Sequence, residues 1–79
     1  MTDPADKNAY AFGWIKDRLA EKRTVYLSRQ FYSGTKHVKI APRRIADIDT
    51  FLRLKDGKLQ VREGKSFFDV LGHYRVTAQ

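Results

Sequence analysis

Apolar and polar residues alternate on both sides of the dipeptide Asp56-Gly57. This dipeptide is typical of a two-residue type I′ turn, because both central positions need positive φ, which Asp tolerates and Gly takes without steric cost. The predicted hairpin pairs Lys55 with Lys58, Leu54 with Leu59 and Leu52 with Val61. These four apolar side chains then share one face of the hairpin. The opposite, largely cationic face collects Phe51, Arg53, Lys55, Lys58, Gln60 and Arg62.

Apolar residues recur at helical spacing between Asn8 and Lys22. Phe12, Ile15 and Leu19 stand at i, i+3 and i+7, which predicts an amphipathic helix with one apolar side.

Tyr10 and Trp14 lie on a neighbouring stripe of that helix, beside Ala11. The stripe either enlarges the core or forms a protein interface. We favour the core, because a domain of this size needs its only tryptophan inside. Residues 1–7 are expected to be a polar, frayed lead-in.

A second hairpin is predicted over residues 24–41, with Ser33-Gly34 as its turn. The pairing that aligns its apolar residues places Tyr32 opposite Thr35, Leu27 opposite Ile40 and Arg29 opposite Val38. The other face then carries Tyr26, Ser28, Gln30, Tyr32, His37 and Lys39. Aromatic rings interleaved with basic groups can stack bases while the cations meet phosphates. Tyrosines are also ordinary strand residues, which is the simpler interpretation.

Residues 42–55 are open to two interpretations. Pro42 lacks the backbone donor of a strand ladder, so the preceding strand should end there or lie at a sheet edge. A helix could begin near Pro42, with Ile45, Ile48 and Leu52 on one side. We favour a strand from about Ile48, because it gives the strand that follows Asp56-Gly57 an adjacent partner.

Residues 66–76 fit both a helix and a strand. Ser66 and Asp69 resemble a helix capping box, whereas the alternation through Val76 and the glycine at position 72 favour a strand. We favour a closing strand, with Phe67, Phe68 and Leu71 in the core and residues 77–79 as a C-terminal tail.

These elements predict a single α+β domain over residues 1–79. The N-terminal helix is expected to pack on a small, mostly antiparallel sheet of four or five strands, either open or curled into a partly open barrel. A chain of 79 residues is near the size at which one hydrophobic core is only just sufficient.

The net charge of +7 is unevenly distributed along the chain. Basic and acidic residues cancel over residues 1–22, whereas residues 23–79 hold twelve basic against five acidic side chains. Such asymmetry favours a local binding surface for a polyanion. The simpler alternative is that small bacterial and phage domains are often basic without a bound partner.

Cysteine is absent, which excludes disulfides and cysteine metal sites. His37 and His73 lack a convincing set of carboxylates, so we expect no bound metal and no cofactor. Ser28, Ser33 and Ser66 show no nucleophile motif, and the glycines form no phosphate-cradling loop, so we expect no enzymatic activity. The sequence shows no membrane span or signal peptide, which leads us to expect a cytoplasmic protein.

The leading hypothesis is a small accessory or regulatory protein that binds DNA or RNA with little sequence preference. Its phosphate contacts are expected from the cationic hairpin face and from basic residues that precede it. The candidate residues are Lys39, Arg43, Arg44, Phe51, Arg53, Lys55, Lys58 and Arg62, with Tyr26 and Tyr32 as candidate stacking groups.

The alternative is a small protein-interaction module, of the inhibitor or adaptor type, that docks on an acidic protein surface. Charge complementarity would select such a partner, and aromatic anchors would supply the affinity. Tyr10 and Trp14 are the candidate interface residues. A free sheet edge would also allow a homodimer.

Overall fold

The chain folds as one helix followed by six antiparallel strands, in a computed structural model that describes residues 4–79. The elements are α1 (Pro4–Ala20), β1 (Val25–Phe31), β2 (Gly34–Ile40), a 3₁₀ helix (Pro42–Thr50), β3 (Leu52–Lys55), β4 (Lys58–Glu63), β5 (Ser66–Asp69) and β6 (Arg75–Ala78). The first sheet has the strand order β2-β1-β6, and the second has the order β3-β4-β5. The predicted α+β class is confirmed, but two three-stranded sheets replace the single sheet, and they do not close into a barrel.

The hairpin at Asp56-Gly57 has the predicted register throughout. Both turn residues adopt the left-handed conformation, with φ of +52° at Asp56 and +76° at Gly57, as a type I′ turn requires. Leu52, Leu59 and Val61 are fully buried, whereas Leu54 is 44% exposed. Leu54 lies on the edge strand beside the turn, where solvent reaches it.

Helix α1 begins at Pro4, so the frayed lead-in predicted for residues 1–7 is wrong for residues 4–7, and residues 1–3 lie outside the described part. Proline is well placed in a first helical turn, because its missing donor would have no partner there. Phe12, Ile15 and Leu19 are buried as predicted.

The C-terminal end of α1 is closed by a Schellman motif. Lys22 takes a left-handed φ of +64°. The amide of Lys22 donates to the carbonyl of Leu19, and the amide of Arg23 donates to the carbonyl of Arg18, each at 3.0 Å. These bonds satisfy carbonyls that the helix end would otherwise leave unpaired and turn the chain into β1.

The hairpin of β1 and β2 turns at Tyr32-Ser33, so the predicted register is wrong by two residues. Leu27 lies opposite Val38, and Phe31 lies opposite Gly34. Gly34 takes its φ of +135° at the first position of β2 instead of inside the turn. Because the shift is even, the side chains of β1 and β2 still lie on their predicted faces, whereas Tyr32 lies in the turn instead of on the polar face.

The segment between β2 and β3 is helical, and a strand follows it. Residues 42–50 form a 3₁₀ helix with a kink at Asp47, and Pro42 stands in its first turn. The favoured strand from Ile48 is wrong, because Ile48 is a buried helical residue and β3 begins at Leu52. The amide of Phe51 donates to the carbonyl of Ile48 and ends the helix.

The C-terminal region forms two strands that belong to different sheets. β5 pairs with β4, and β6 pairs with β1, so the single closing strand and the tail over residues 77–79 are both wrong: Thr77 and Ala78 lie in β6. The predicted core position of Leu71 is also wrong, because Leu71 is 36% exposed. Val70 and Tyr74 are buried in its place, at either end of the turn between the two strands.

The two sheets are joined through one hydrophobic core. Ile15 and Leu19 of α1 are fully buried together with residues from β1, β2, β3 and β4. Asn8 ties α1 to the second sheet, since its Oδ1 accepts a hydrogen bond of 2.8 Å from the buried amide of Leu59. Within residues 4–79, no helix is long and apolar enough to cross a membrane.

We expect opposite effects on stability from two Gly→Ala substitutions. Gly57→Ala should lower the free energy of unfolding by about 1–2 kcal/mol, because an L side chain is strained at this φ. Gly13→Ala should raise it by up to about 1 kcal/mol, because a Cβ in the middle of α1 meets no neighbour within 4 Å and removes backbone entropy from the unfolded chain. Urea unfolding of both variants measures the difference. Equal stability of Gly57→Ala and the parent would show that the turn does not need its left-handed geometry.

Candidate nucleic-acid interface

Four of the predicted contact residues meet in one groove between the two sheets. Lys39 comes from β2, Arg44 from the 3₁₀ helix, Phe51 from the residue before β3, and Arg62 from β4. The groove has a volume of about 190 Å³ and is floored by the apolar residues Val38, Ile40 and Val61. We call it the basic groove.

Two contacts hold the Arg44 guanidinium at the wall of the basic groove. Its carbon lies 4.6 Å from the centre of the Phe51 ring, and its Nε is 3.0 Å from Oδ1 of Asp47. Both partners of this ion pair are largely exposed, so it contributes little to stability and screens only part of the charge. The planar guanidinium keeps further N–H groups that can meet a phosphate.

Arg62 is positioned by the backbone. Its Nε donates a hydrogen bond of 2.9 Å to the carbonyl of Gly64, and its amide donates to the carbonyl of Phe51 at 2.8 Å. The side chain remains exposed. Arg62 therefore presents a charge at the groove without an ion pair among the described residues.

The outer face of the second sheet carries the remaining cations of the Asp56-Gly57 hairpin, and we call it the hairpin face. The Arg53 guanidinium stacks on the Phe67 ring at 3.6 Å, and its Nε donates to Oε1 of Gln60 at 2.9 Å. Lys55 is exposed at the turn.

Asp69 makes the hairpin face less uniformly cationic than the sequence predicts. It accepts a hydrogen bond of 3.0 Å from Gln60 and lies 3.8 Å from Nζ of Lys58. Phe67 was predicted to lie in the core, and this prediction is wrong, because its pairing with Arg62 places it on the outer face. Asp69 was not predicted here, because the pairing of β5 with β4 was not. In a strand over residues 66–69, Phe67 and Asp69 share one side. This alternation was the signal that could have placed both on the hairpin face.

The outer face of the first sheet is polar and carries no Asp or Glu side chain among the described residues. Tyr26 lies on the central strand, between Lys39 of β2 and Thr77 of β6. Ser28 lies beside it, with His37 and Arg75 on the neighbouring strands. We call this surface the tyrosine face. Arg75 and Thr77 were missed because the C-terminal residues were not expected to pair with β1.

The remaining two candidates lie apart from these surfaces. Tyr32 stands at the tip of the β1–β2 hairpin with its side chain fully exposed. Arg43 is exposed on the 3₁₀ helix and makes no ion pair within residues 4–79.

Two residues connect the three surfaces. Lys39 lines the basic groove and also lies on the tyrosine face, and Arg62 lines the groove and also lies on the hairpin face. Five ion pairs occur among the described residues. Lys39, Arg53 and Arg75 belong to none of them, so positive charge extends across all three surfaces.

Tyr10 and Trp14 of α1 differ in exposure. Tyr10 is 75% exposed, so its favoured core position is wrong, whereas Trp14 is half-buried against the core. Together with Ala11, Leu71 and Val76 they line an apolar groove of about 230 Å³, which we call the helix groove.

Charged groups also occupy one end of the seam between the sheets. The Arg29 guanidinium lies 4.9–5.9 Å from the ring centres of Phe31, Phe68 and Tyr74. Burial raises the pKa of the Tyr74 phenol above its usual value of 10.0, and the neighbouring Glu63 carboxylate adds to this shift while Arg29 opposes it. Glu63 in turn lies 3.5 Å from Nζ of Lys36, so these groups link the two sheets.

Nucleophilic and metal-binding groups are sparse in the described part of the chain. Ser28 Oγ and His37 Nδ1 are 3.0 Å apart, but no carboxylate among the described residues is hydrogen-bonded to His37. Within residues 4–79, no three His, Asp or Glu side chains come together as a metal site requires.

Comparison with models of known protein families, with curated proteins and with solved structures finds no match to this chain.

We expect Tyr74→Phe to reduce the loss of stability at alkaline pH. Because the pKa of Tyr74 is higher in the folded than in the unfolded chain, its contribution to stability is fully present below about pH 10 and is lost as the pH rises through the folded value. Thermal unfolding measured from about pH 9 to about pH 11 should therefore show a smaller fall in Tm for Tyr74→Phe than for the parent.

Tyr10→Phe is the matched control, because Tyr10 is largely exposed on α1. This variant should lose stability with pH as the parent does. The same alkaline loss in the parent and in Tyr74→Phe would contradict the assigned burial of the Tyr74 phenol.

Proposed function

We propose that this protein binds nucleic acid with little sequence preference, as an accessory or regulatory factor. The observation that supports this most is the convergence of Lys39, Arg44 and Arg62 on the basic groove from three separate elements. Cations brought together by tertiary structure raise the local potential more than the same charges spread over a surface.

Phosphate contacts account for the binding. Arg44 and Arg62 offer planar guanidiniums that suit phosphate oxygens, and Lys39 adds a mobile ammonium. Arg53, Lys55 and Lys58 extend the contacts along the hairpin face, and Arg43 adds an exposed charge on the 3₁₀ helix. Contacts of this kind fix the position of a nucleic acid but carry no direct sequence information.

The aromatic candidates serve the same ligand. Phe51 walls the basic groove and packs against sugar or base, while Tyr26 and Tyr32 offer rings for stacking. Neutralising about four to six phosphates would give a log–log slope of affinity against salt of roughly −4 to −5 on duplex DNA.

The substitution pair Lys39→Glu and Arg62→Glu tests the basic groove. Both side chains are exposed, and neither makes an ion pair among the described residues. The double variant should bind a labelled mixed-sequence DNA at least about tenfold more weakly at low salt, with a salt slope shallower by about two. Fluorescence anisotropy titrations at several salt concentrations measure both quantities.

Lys7→Glu with Lys22→Glu is the matched control, since it changes the net charge equally but alters exposed positions of α1 and its C-terminal end. A third variant, Lys55→Glu with Lys58→Glu, tests the hairpin face separately. Equal losses in the control and in the groove variant would leave only non-specific attraction to a basic protein. Unchanged binding in both the groove and hairpin variants would refute the proposed surface.

The exposure of Tyr10 supports a second candidate function, docking on an acidic protein. The helix groove offers an apolar cleft with a tyrosine and a half-buried tryptophan, which are typical interface anchors. The Arg18 guanidinium stacks on the Trp14 ring at 5.2 Å. The partner that fits is a protein that inserts an apolar side chain flanked by carboxylates.

This second function predicts a partner protein whose binding depends on the helix groove and not on the basic groove. Affinity capture should retain it on the parent and on Lys39→Glu with Arg62→Glu, but lose it on Tyr10→Arg, which places a charge in the cleft. Retention of the partner on the parent and on both variants would argue against the cleft. Sedimentation of the purified chain would show whether a second copy occupies it as a homodimer.

A further inference from the structure

The tyrosine face has a hollow at its centre. Tyr26, Ser28, His37, Thr77 and Gln79 line it, and its volume is about 410 Å³. Tyr26 stands on the central strand and is half-buried, so its ring is held on the sheet instead of projecting into solvent. A ring fixed in this way can stack on a planar ligand while losing little conformational entropy.

His37 supplies a second planar group beside Tyr26. Its Nδ1 lies 3.0 Å from the hydroxyl oxygen of Ser28, which restrains the imidazole on the sheet surface. Nε2 remains as the second hydrogen-bonding atom of the ring. The hollow therefore combines two π surfaces with groups that can bond a base edge.

Cations flank this hollow on both neighbouring strands. Lys39 of β2 lies opposite Tyr26, and Arg75 of β6 lies opposite Ser28. No Asp or Glu side chain lies on this face among the described residues. Lys39 also lines the basic groove, which makes the hollow continuous with the proposed phosphate contacts.

We propose that the tyrosine face binds unpaired bases, so that the protein prefers single-stranded over double-stranded nucleic acid. This inference rests on the proposed function and names its ligand class. In a duplex the faces of the bases are covered by their neighbours, so they are not available to an aromatic ring on the surface of a sheet. A single strand can lay one base on Tyr26 while its phosphates reach Lys39 and Arg75.

The test compares a labelled mixed-sequence single strand with its own duplex by fluorescence anisotropy. The parent should bind the single strand more tightly at equal salt. Tyr26→Leu should weaken single-strand binding by about tenfold, since stacking of one base on an aromatic ring is worth that or more. Duplex affinity should stay within about twofold, because phosphate contacts are intact. Tyr26→Phe keeps the ring and should retain single-strand binding.

His37→Ala provides a second variant on an exposed position and should weaken single-strand binding selectively, as Tyr26→Leu does. Tyr10→Leu removes an exposed tyrosine elsewhere and should change neither affinity. Equal losses on both ligands, or no loss on the single strand, would overturn the stacking site while leaving the proposed function in place. Absence of binding to either ligand by the parent would overturn both.

Discussion

The structure depends on one shared hydrophobic core, because the two sheets have no strand ladder in common. Each three-stranded sheet has one apolar face, which must be buried against another layer. Each sheet therefore needs the other sheet and α1 to cover it, and Ile15 and Leu19 are fully buried where these layers meet. The hydrogen bond from the amide of Leu59 to Asn8 satisfies a buried backbone donor of the second sheet. Burial and hydrogen bonding thus both hold the helix on the sheets.

That core also determines where the charges lie. With alternate residues committed to the interior, the intervening cations of β3 and β4 are forced outward on one side of the sheet. The basic groove forms where this side meets β2 and the 3₁₀ helix, so it is a product of packing between layers. A basic groove with an aromatic wall therefore follows from the same layers that stabilise the fold.

The sequence was most informative where local signals agreed. At Asp56-Gly57 the turn chemistry and the alternation on both flanks favour one register, and the structure has that register. At Ser33-Gly34 the glycine suggested the turn position, but the chain turns one residue earlier. This moves the pairing register by two residues, and because two is even the side chains keep their faces. The division of the C-terminal region between two sheets depends on pairing with β1, which is distant in sequence. The cations of the Asp56-Gly57 hairpin could be predicted to lie together, because the hairpin is local in sequence. Their position near Lys39, Arg44 and Phe51 depends on contacts between distant segments and could not be predicted.

The C-terminal end of the described chain is held by the two residues that precede β1. The amide of Gln79 donates to the carbonyl of Thr24, and its own carbonyl accepts from Nε of Arg23. Gln79 also forms the rim of the hollow beside Tyr26. Any polypeptide joined after Gln79 would leave the domain at that rim, so its first residues would lie beside Tyr26.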